Sequence, residues 1–222
     1  MPAHNCIPLP DTLSFGEGAL IETLGVAIHA VDLGHLRLAS RVAVFGAGAV
    51  GLLVAQAARL AGAVDVFVSE PLAHRRTVAG RLGLIAIDAA QDPVGTILAL
   101  TGGQGVDVAF ECAGASTTAQ ESCDVCRPGG SVVIVGIPCD DRADFTSSPL
   151  RAKGLTVRFA QRSRRTTQRA LTLASRGLVD LRALISHEFA LDEAPDAFAL
   201  AERRDEGAVK VVIRVGAAAC RL

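Results

Sequence analysis

The sequence predicts an α/β fold, a doubly wound six-stranded parallel sheet, and three observations carry that prediction. Short β-branched or apolar runs alternate with helix-length segments along most of the chain. A glycine-rich turn lies directly after the first of those runs and opens the following helix. The length, 222 residues of which half are apolar, suits one large α/β domain or one domain plus a fragment, and is ample for a buried core.

The elements follow in order. Cys6–Pro10 precedes a helical stretch from about Phe15 to Val31. Strands are expected at Arg41–Phe45, Val64–Ser69, Leu84–Ile87, Val106–Glu111, Ser131–Val135 and Leu155–Ala160. Between the first five lie Ala49–Ala61, Pro71–Leu82, Pro93–Leu100 and Ser116–Cys126, each long enough for a helix. Strands alternating with helices imply right-handed crossovers and a parallel sheet covered on both faces. Then come a helix near Thr166–Ser175, a strand-like Leu184–Phe189, a helix over Asp192–Arg203 and a last strand, Ala208–Val215. That last strand has no evident partner in the chain, and an unpaired apolar edge is a liability, so a partner sheet elsewhere is expected.

Composition narrows the function. A net charge of −1 argues against nucleic acid as the main partner, and eight Phe with no Trp or Tyr leave few platforms for stacking bases. The missing Tyr excludes chemistry that uses a tyrosine hydroxyl. Met1–Cys6 lacks the basic and apolar regions of a signal peptide, and the longest charge-free apolar run, Val42–Ala58, is 17 residues with three glycines, better read as strand, turn and helix than as a membrane span. Six cysteines without a secretion signal read as reduced thiols. A cytoplasmic protein is expected.

The run Phe45-Gly46-Ala47-Gly48-Ala49-Val50-Gly51 is a GxGxxG turn between a strand and a helix. Gly46 permits the tight turn, Gly48 lets backbone approach a pyrophosphate, and Gly51 lets helix and sheet pack closely. The helix N-terminus offers free N–H groups and a positive dipole end to the phosphates. The second strand ends at Glu70, 19 residues after Gly51. A carboxylate there can accept from both ribose hydroxyls of the adenosine half and repels a 2′-phosphate, which favours NAD over NADP. Arg75 could soften that preference by reaching a phosphate. The competing reading of Glu70 is a solvated acid at a strand end.

Three further constellations stand out. Glu22 and His29 fall on one face of the apolar helical stretch, either as a functional carboxylate costly to bury or as a polar surface stripe. Cys123 and Cys126 have CxxC spacing without a second pair, which favours packing over a metal or redox role. Arg158 to Arg169 holds five arginines in twelve residues, read as a solvated face rather than an anion site.

Pro8-Leu9-Pro10-Asp11, Glu17 to Glu22, His29-Ala30, the glycine turn, Glu111-Cys112-Ala113-Gly114, Arg127-Pro128-Gly129-Gly130, Val135-Gly136, Leu184 to Phe189 and Lys210 to Ile213 together resemble the zinc-dependent medium-chain dehydrogenases, in particular the sorbitol and xylitol (polyol) branch. The resemblance spans essentially the whole chain. It implies a Rossmann domain with remnants of a second, catalytic lobe at both ends: residues 1–33 the end of that lobe and a linking helix, 34–175 the NAD-binding domain, 176–222 a return to the lobe. Glu22 matches the family glutamate at the catalytic zinc, a catalytic and metal-binding role. Gly46, Gly48, Ala49, Val50 and Gly51 match the pyrophosphate turn, Glu70 and Arg75 the adenosine-ribose site, and Val135, Gly136 and Ile137 the stretch along the nicotinamide. Arg162 matches an arginine near cofactor and substrate. Ser163 replaces the aromatic residue usual beside it, and Thr23 the proline usual after the glutamate.

The family's other zinc ligands, in its first lobe, have no counterpart in this sequence, and catalytic zinc needs three protein ligands with an open position. The chain therefore resembles a truncated dehydrogenase, inactive alone unless another chain supplies the missing ligands. The implied activity is hydride transfer between a secondary alcohol or polyol and NAD, with zinc as the family's metal and a homodimer or homotetramer as its assembly. The alternative is a non-catalytic NAD-binding or interaction module.

Overall fold

The computed structural model describes residues 6–216. Residues 1–5, which carry most of the segment read above for a leader, and Cys220 lie outside the described residues. Six strands form one parallel sheet: β1 (Arg41–Phe45), β2 (Asp65–Glu70), β3 (Ile85–Asp88), β4 (Val106–Glu111), β5 (Cys126–Ile134) and β6 (Thr156–Phe159), in the spatial order β3-β2-β1-β4-β5-β6. The order reverses between β1 and β4, whose registers pair Val42 with Val108 and Phe45 with Glu111. This is the doubly wound sheet that the alternation of segments predicts.

Side-chain alternation builds two cores. Val42 and Val44 of β1 face one side with Val66, Val68, Val108, Phe110 and Val133. The helices α2 (Ile21–Gly34), α3 (Ala49–Leu60), α4 (Ala73–Arg81) and α8 (Thr167–Ser175) contribute to that side. Ala43 and Phe45 face the other with Phe67, Ala109, Val132 and Ile134, covered by α5 (Pro93–Leu100) and α6 (Thr118–Val125). Side-chain caps start two of the helices. Asp92 caps α5 by accepting from the Gly95 N–H at 2.9 Å, with Pro93 in the first turn. Ser14 and Glu17 form a reciprocal capping box at the short α1 (Phe15–Gly18).

Three expectations change. The Phe15–Val31 stretch is two helices, α1 and α2, and the second runs on to Gly34 because a glycine lets it press on the sheet. A Cβ at Gly34 would stand 2.9 Å from the ring of Phe110. A helix that the segment pattern did not predict, α7 (Ser147–Lys153), fills the crossover to β6; its Ser, Pro and Lys residues bury nothing fully and so show no apolar period. The last strand does have a partner. β8 (Lys210–Arg214) pairs in parallel with β7 (Ile185–Ala190), and α9 (Ala194–Arg203) crosses between them. A parallel partner lies a helix-length away in sequence, which is why no tight-turn neighbour announced it.

Candidate cofactor site

The C-terminal ends of β1 and β4 meet where the strand order reverses, the position at which open α/β sheets bind ligands. The turn after β1 requires glycine at its first position. Gly46 has φ +101°, its N–H donates to the Ser69 carbonyl at 2.7 Å, and a side chain there would sit 3.0 Å from the Ala113 nitrogen. A side chain at Gly51 would run into the Gly46 carbonyl. Gly48 differs: the nearest group to a Cβ built there is the Arg75 guanidinium, at 3.9 Å, so space is open above it. The first intrahelical bond of α3 runs from Leu52 N–H to the Gly48 carbonyl, which leaves the N–H groups of Ala49, Val50 and Gly51 without helical acceptors. Free donors, a dipole end and open space form a cradle for a pyrophosphate.

Glu70 is not the solvated acid of the competing reading. It is 4 % exposed; one carboxylate oxygen accepts from the Ala47 N–H of the glycine turn at 2.7 Å and the other from Leu72 N–H at 3.1 Å. Each oxygen keeps a lone pair for a ribose hydroxyl. Arg75 lies beside it, half-buried, its Nε donating to the Ala208 carbonyl at 3.1 Å. Burial pushes the Arg75 pKa down, the Glu70 charge opposes that shift, and Arg204 adds to it. His74 Nε2 lies 3.3 Å from the same Ala208 carbonyl, so the turn before β8 closes one end of the site. Neither this turn nor His74 carries a sequence motif, and the sequence reading did not find them.

Val135 and Gly136 follow β5, and both N–H groups donate to the Glu111 carbonyl at the end of β4, at 2.8 and 2.9 Å. Ile137 is 85 % exposed beside them. Glu111 itself is 1 % exposed, and no sequence signal assigns it a role, although like Glu70 it is the last residue of its strand. Arg162 stands apart, exposed after β6 in the left-handed region (φ +52°) and without a hydrogen bond among the described residues. Of its arginine-rich neighbours, Arg169 pairs with Asp32 of α2.

Glu22 lies on the exposed side of α2, with no hydrogen-bond or ion-pair partner among the described residues, and His29 is half-buried. Among the described residues no three His, Cys, Asp or Glu side chains come together to hold a metal ion, so the residues present do not fit a zinc centre. Cys123 ends up in α6 and Cys126 opens β5, both buried, with the Cys126 thiol 3.2 Å from the Ser122 carbonyl. Burial pushes their pKa values up to about 11 and about 12, which keeps both as neutral, packed thiols.

A parallel doubly wound sheet with an open glycine turn at its switch point, and a buried acid fastened to that turn, defines a dinucleotide-binding protein. The chain belongs to the zinc-binding dehydrogenase family, whose model matches residues 49–176. It is 34 % identical to the D-xylulose reductase of Saccharomyces cerevisiae, over 92 % of this chain and 59 % of that protein. The crystal structure of 2R,3R-butanediol dehydrogenase from Bacillus subtilis superposes with a TM-score of 0.85 at 32 % identity, covering 94 % of this chain and 60 % of that one. A protein of Sinorhizobium meliloti 1021, assigned to the zinc-binding dehydrogenases and seen bound to NADP, gives 0.88 at 35 %, covering 96 % and 64 %. The chain thus spans roughly three-fifths of the length of the relatives it matches.

Proposed function

We propose that this chain is the cofactor-binding part of an NAD-dependent alcohol or polyol dehydrogenase, which passes hydride between a secondary alcohol or polyol and NAD. Bound NAD supplies the hydride acceptor. The chain's own groups bind and orient it: the N–H groups of Ala49, Val50 and Gly51 take the pyrophosphate, Glu70 the adenosine ribose, and the Val135–Ile137 backbone lines the nicotinamide. The observation that carries the reading is the buried Glu70 carboxylate, fastened to the glycine turn with lone pairs to spare. Arg75, with Nη1 beside the space over Gly48, gives NADP a foothold, in keeping with the NADP-bound relative.

Residues 34–175 form the cofactor domain in this reading, with 1–33 and 176–222 belonging to the catalytic lobe. The protein is cytoplasmic and homodimeric or homotetrameric. No helix among the described residues is long and apolar enough to cross a membrane. The described residues bring no metal site together, so Glu22 takes its catalytic and metal-binding role only as one ligand among others supplied from elsewhere. Because Glu22 stands alone, a second reading is a non-catalytic NAD-binding module.

An NADH titration of the purified chain, with NADPH in parallel, tests the first step. With no Trp in the chain the signal is nicotinamide fluorescence. Saturable binding that favours NADH is expected; a folded chain that binds neither overturns the assignment. Turnover with added zinc on secondary alcohols and polyols then separates the two readings.

A further inference from the structure

Glu111 is a buried carboxylate that the cofactor contacts proposed above do not use. It ends β4 at the switch point, and its atoms hold two stretches of backbone and one side chain at once. One side-chain oxygen, Oε1, accepts from Ala113 N–H at 2.9 Å, Gly114 N–H at 2.8 Å and the Thr118 hydroxyl at 2.7 Å. Its main-chain carbonyl accepts from Val135 and Gly136. The other side-chain oxygen, Oε2, lies where a Cβ at Gly136 would approach to 2.5 Å. Gly114, at φ +65°, fits against the Ile137 carbonyl in the same way, 2.7 Å from a built Cβ. The loops after β4 and β5 are therefore interlocked glycine against glycine, with one carboxylate beneath them. The first of these loops also backs the Gly46 turn through Ala113.

A buried carboxylate collecting two backbone N–H groups and a hydroxyl is a rigid fixture. Withdrawing it strands the Ala113 and Gly114 N–H groups without an acceptor, while the Thr118 hydroxyl turns to the Ala115 carbonyl at 2.9 Å. It also opens a void under Gly136, so the 135–137 backbone loses the surface it rests on. We propose that Glu111 is a positioning residue for the nicotinamide end of the cofactor, acting through the loops 112–114 and 135–137 without touching the ligand. This rests on the cofactor reading above, which lays residues 135–137 along the nicotinamide.

The test is an NADH titration of the full chain that reads two quantities, the Kd and the emission of fully bound NADH, beside a thermal melt and competition by ADP-ribose. Glu111→Ala is expected to raise the NADH Kd about tenfold and to move the bound emission toward that of free NADH. ADP-ribose, which lacks the nicotinamide, should lose markedly less affinity. Glu111→Gln keeps an oxygen for the same donors and should retain most of the wild-type emission. If Glu111→Ala does not fold, Thr118→Val removes one donor from the cluster and should shift the emission in the same direction by less. A variant that melts lower but binds NADH with wild-type emission and NADH-to-ADP-ribose preference has lost only stability, and overturns the inference while leaving the cofactor reading intact. A folded wild-type chain that binds neither NADH nor ADP-ribose overturns both.

Discussion

Replacing Glu70 with alanine probes stability and cofactor choice in a single experiment. In the folded chain its two oxygens accept from Ala47 and Leu72 N–H inside a site that leaves the residue 4 % exposed. Alanine leaves those donors facing no acceptor, a loss of about 1–3 kcal/mol each where water cannot replace the carboxylate. Taking a total of about 3 kcal/mol, and about 2–4 °C per kcal/mol for a domain of this size, the melting temperature should fall by about 6–12 °C. NADH also loses a charged acceptor for its ribose hydroxyls, about 2 kcal/mol, so its Kd should rise about thirtyfold. NADPH escapes a like charge facing its 2′-phosphate and should change by less than about threefold. Parallel fluorescence titrations and a thermal melt give all three quantities. Glu70→Gln, which keeps one acceptor oxygen but turns a donor toward the other backbone N–H, should fall between wild type and Glu70→Ala. An unchanged NADH-to-NADPH ratio together with an unchanged melt would refute both roles of this carboxylate.

Arg75→Ala removes the cation nearest Gly48 and the tie to the Ala208 carbonyl, so NADPH binding should weaken more than NADH binding, by about tenfold against about threefold in parallel titrations. Gly51→Ala drives a methyl group into the Gly46 carbonyl and should abolish saturable NADH binding. Gly80→Ala, in an exposed turn of α4 with nothing within 4 Å of a built Cβ, should instead raise stability by about 0.4–1 kcal/mol in a urea melt. The buried thiols set an alkaline limit. Their pKa values rise from an ordinary 9.0 to about 11 for Cys123 and about 12 for Cys126, so the folded chain holds protons that the unfolded chain releases. Their contribution to stability is complete below about pH 9 and is lost as pH rises toward 12. Urea midpoints across that range should decline less steeply in Cys123→Ala with Cys126→Ala than in wild type, and equal slopes would rule out this origin.

The fold was legible because its signals are periodic and local. β1 and β4 fall on the very residues that alternation picked out, Arg41–Phe45 and Val106–Glu111, since a buried parallel strand writes most of its length in apolar side chains. α7 was hidden because it buries no residue fully, and β8 lacked a visible mate because its partner is reached through α9. The site divides along the same line. Gly46, Gly48 and Gly51 could be read because each glycine answers a backbone demand that geometry states in advance, and Glu70 because it follows them at a set distance. Glu111 has the chemistry of Glu70, an acid closing an apolar strand beside a glycine-containing turn, yet no spacing rule points to it. Its donors, Ala113, Gly114 and Thr118, carry no spacing signal of their own, and its partner strand β5 ends more than twenty residues later, at Ile134. Burial separates such acids from solvated ones, and burial is a property of the assembled sheet. A buried acid that ends a strand next to the switch point is therefore best tested as a brace for the loops around it, before any direct contact with ligand is assumed.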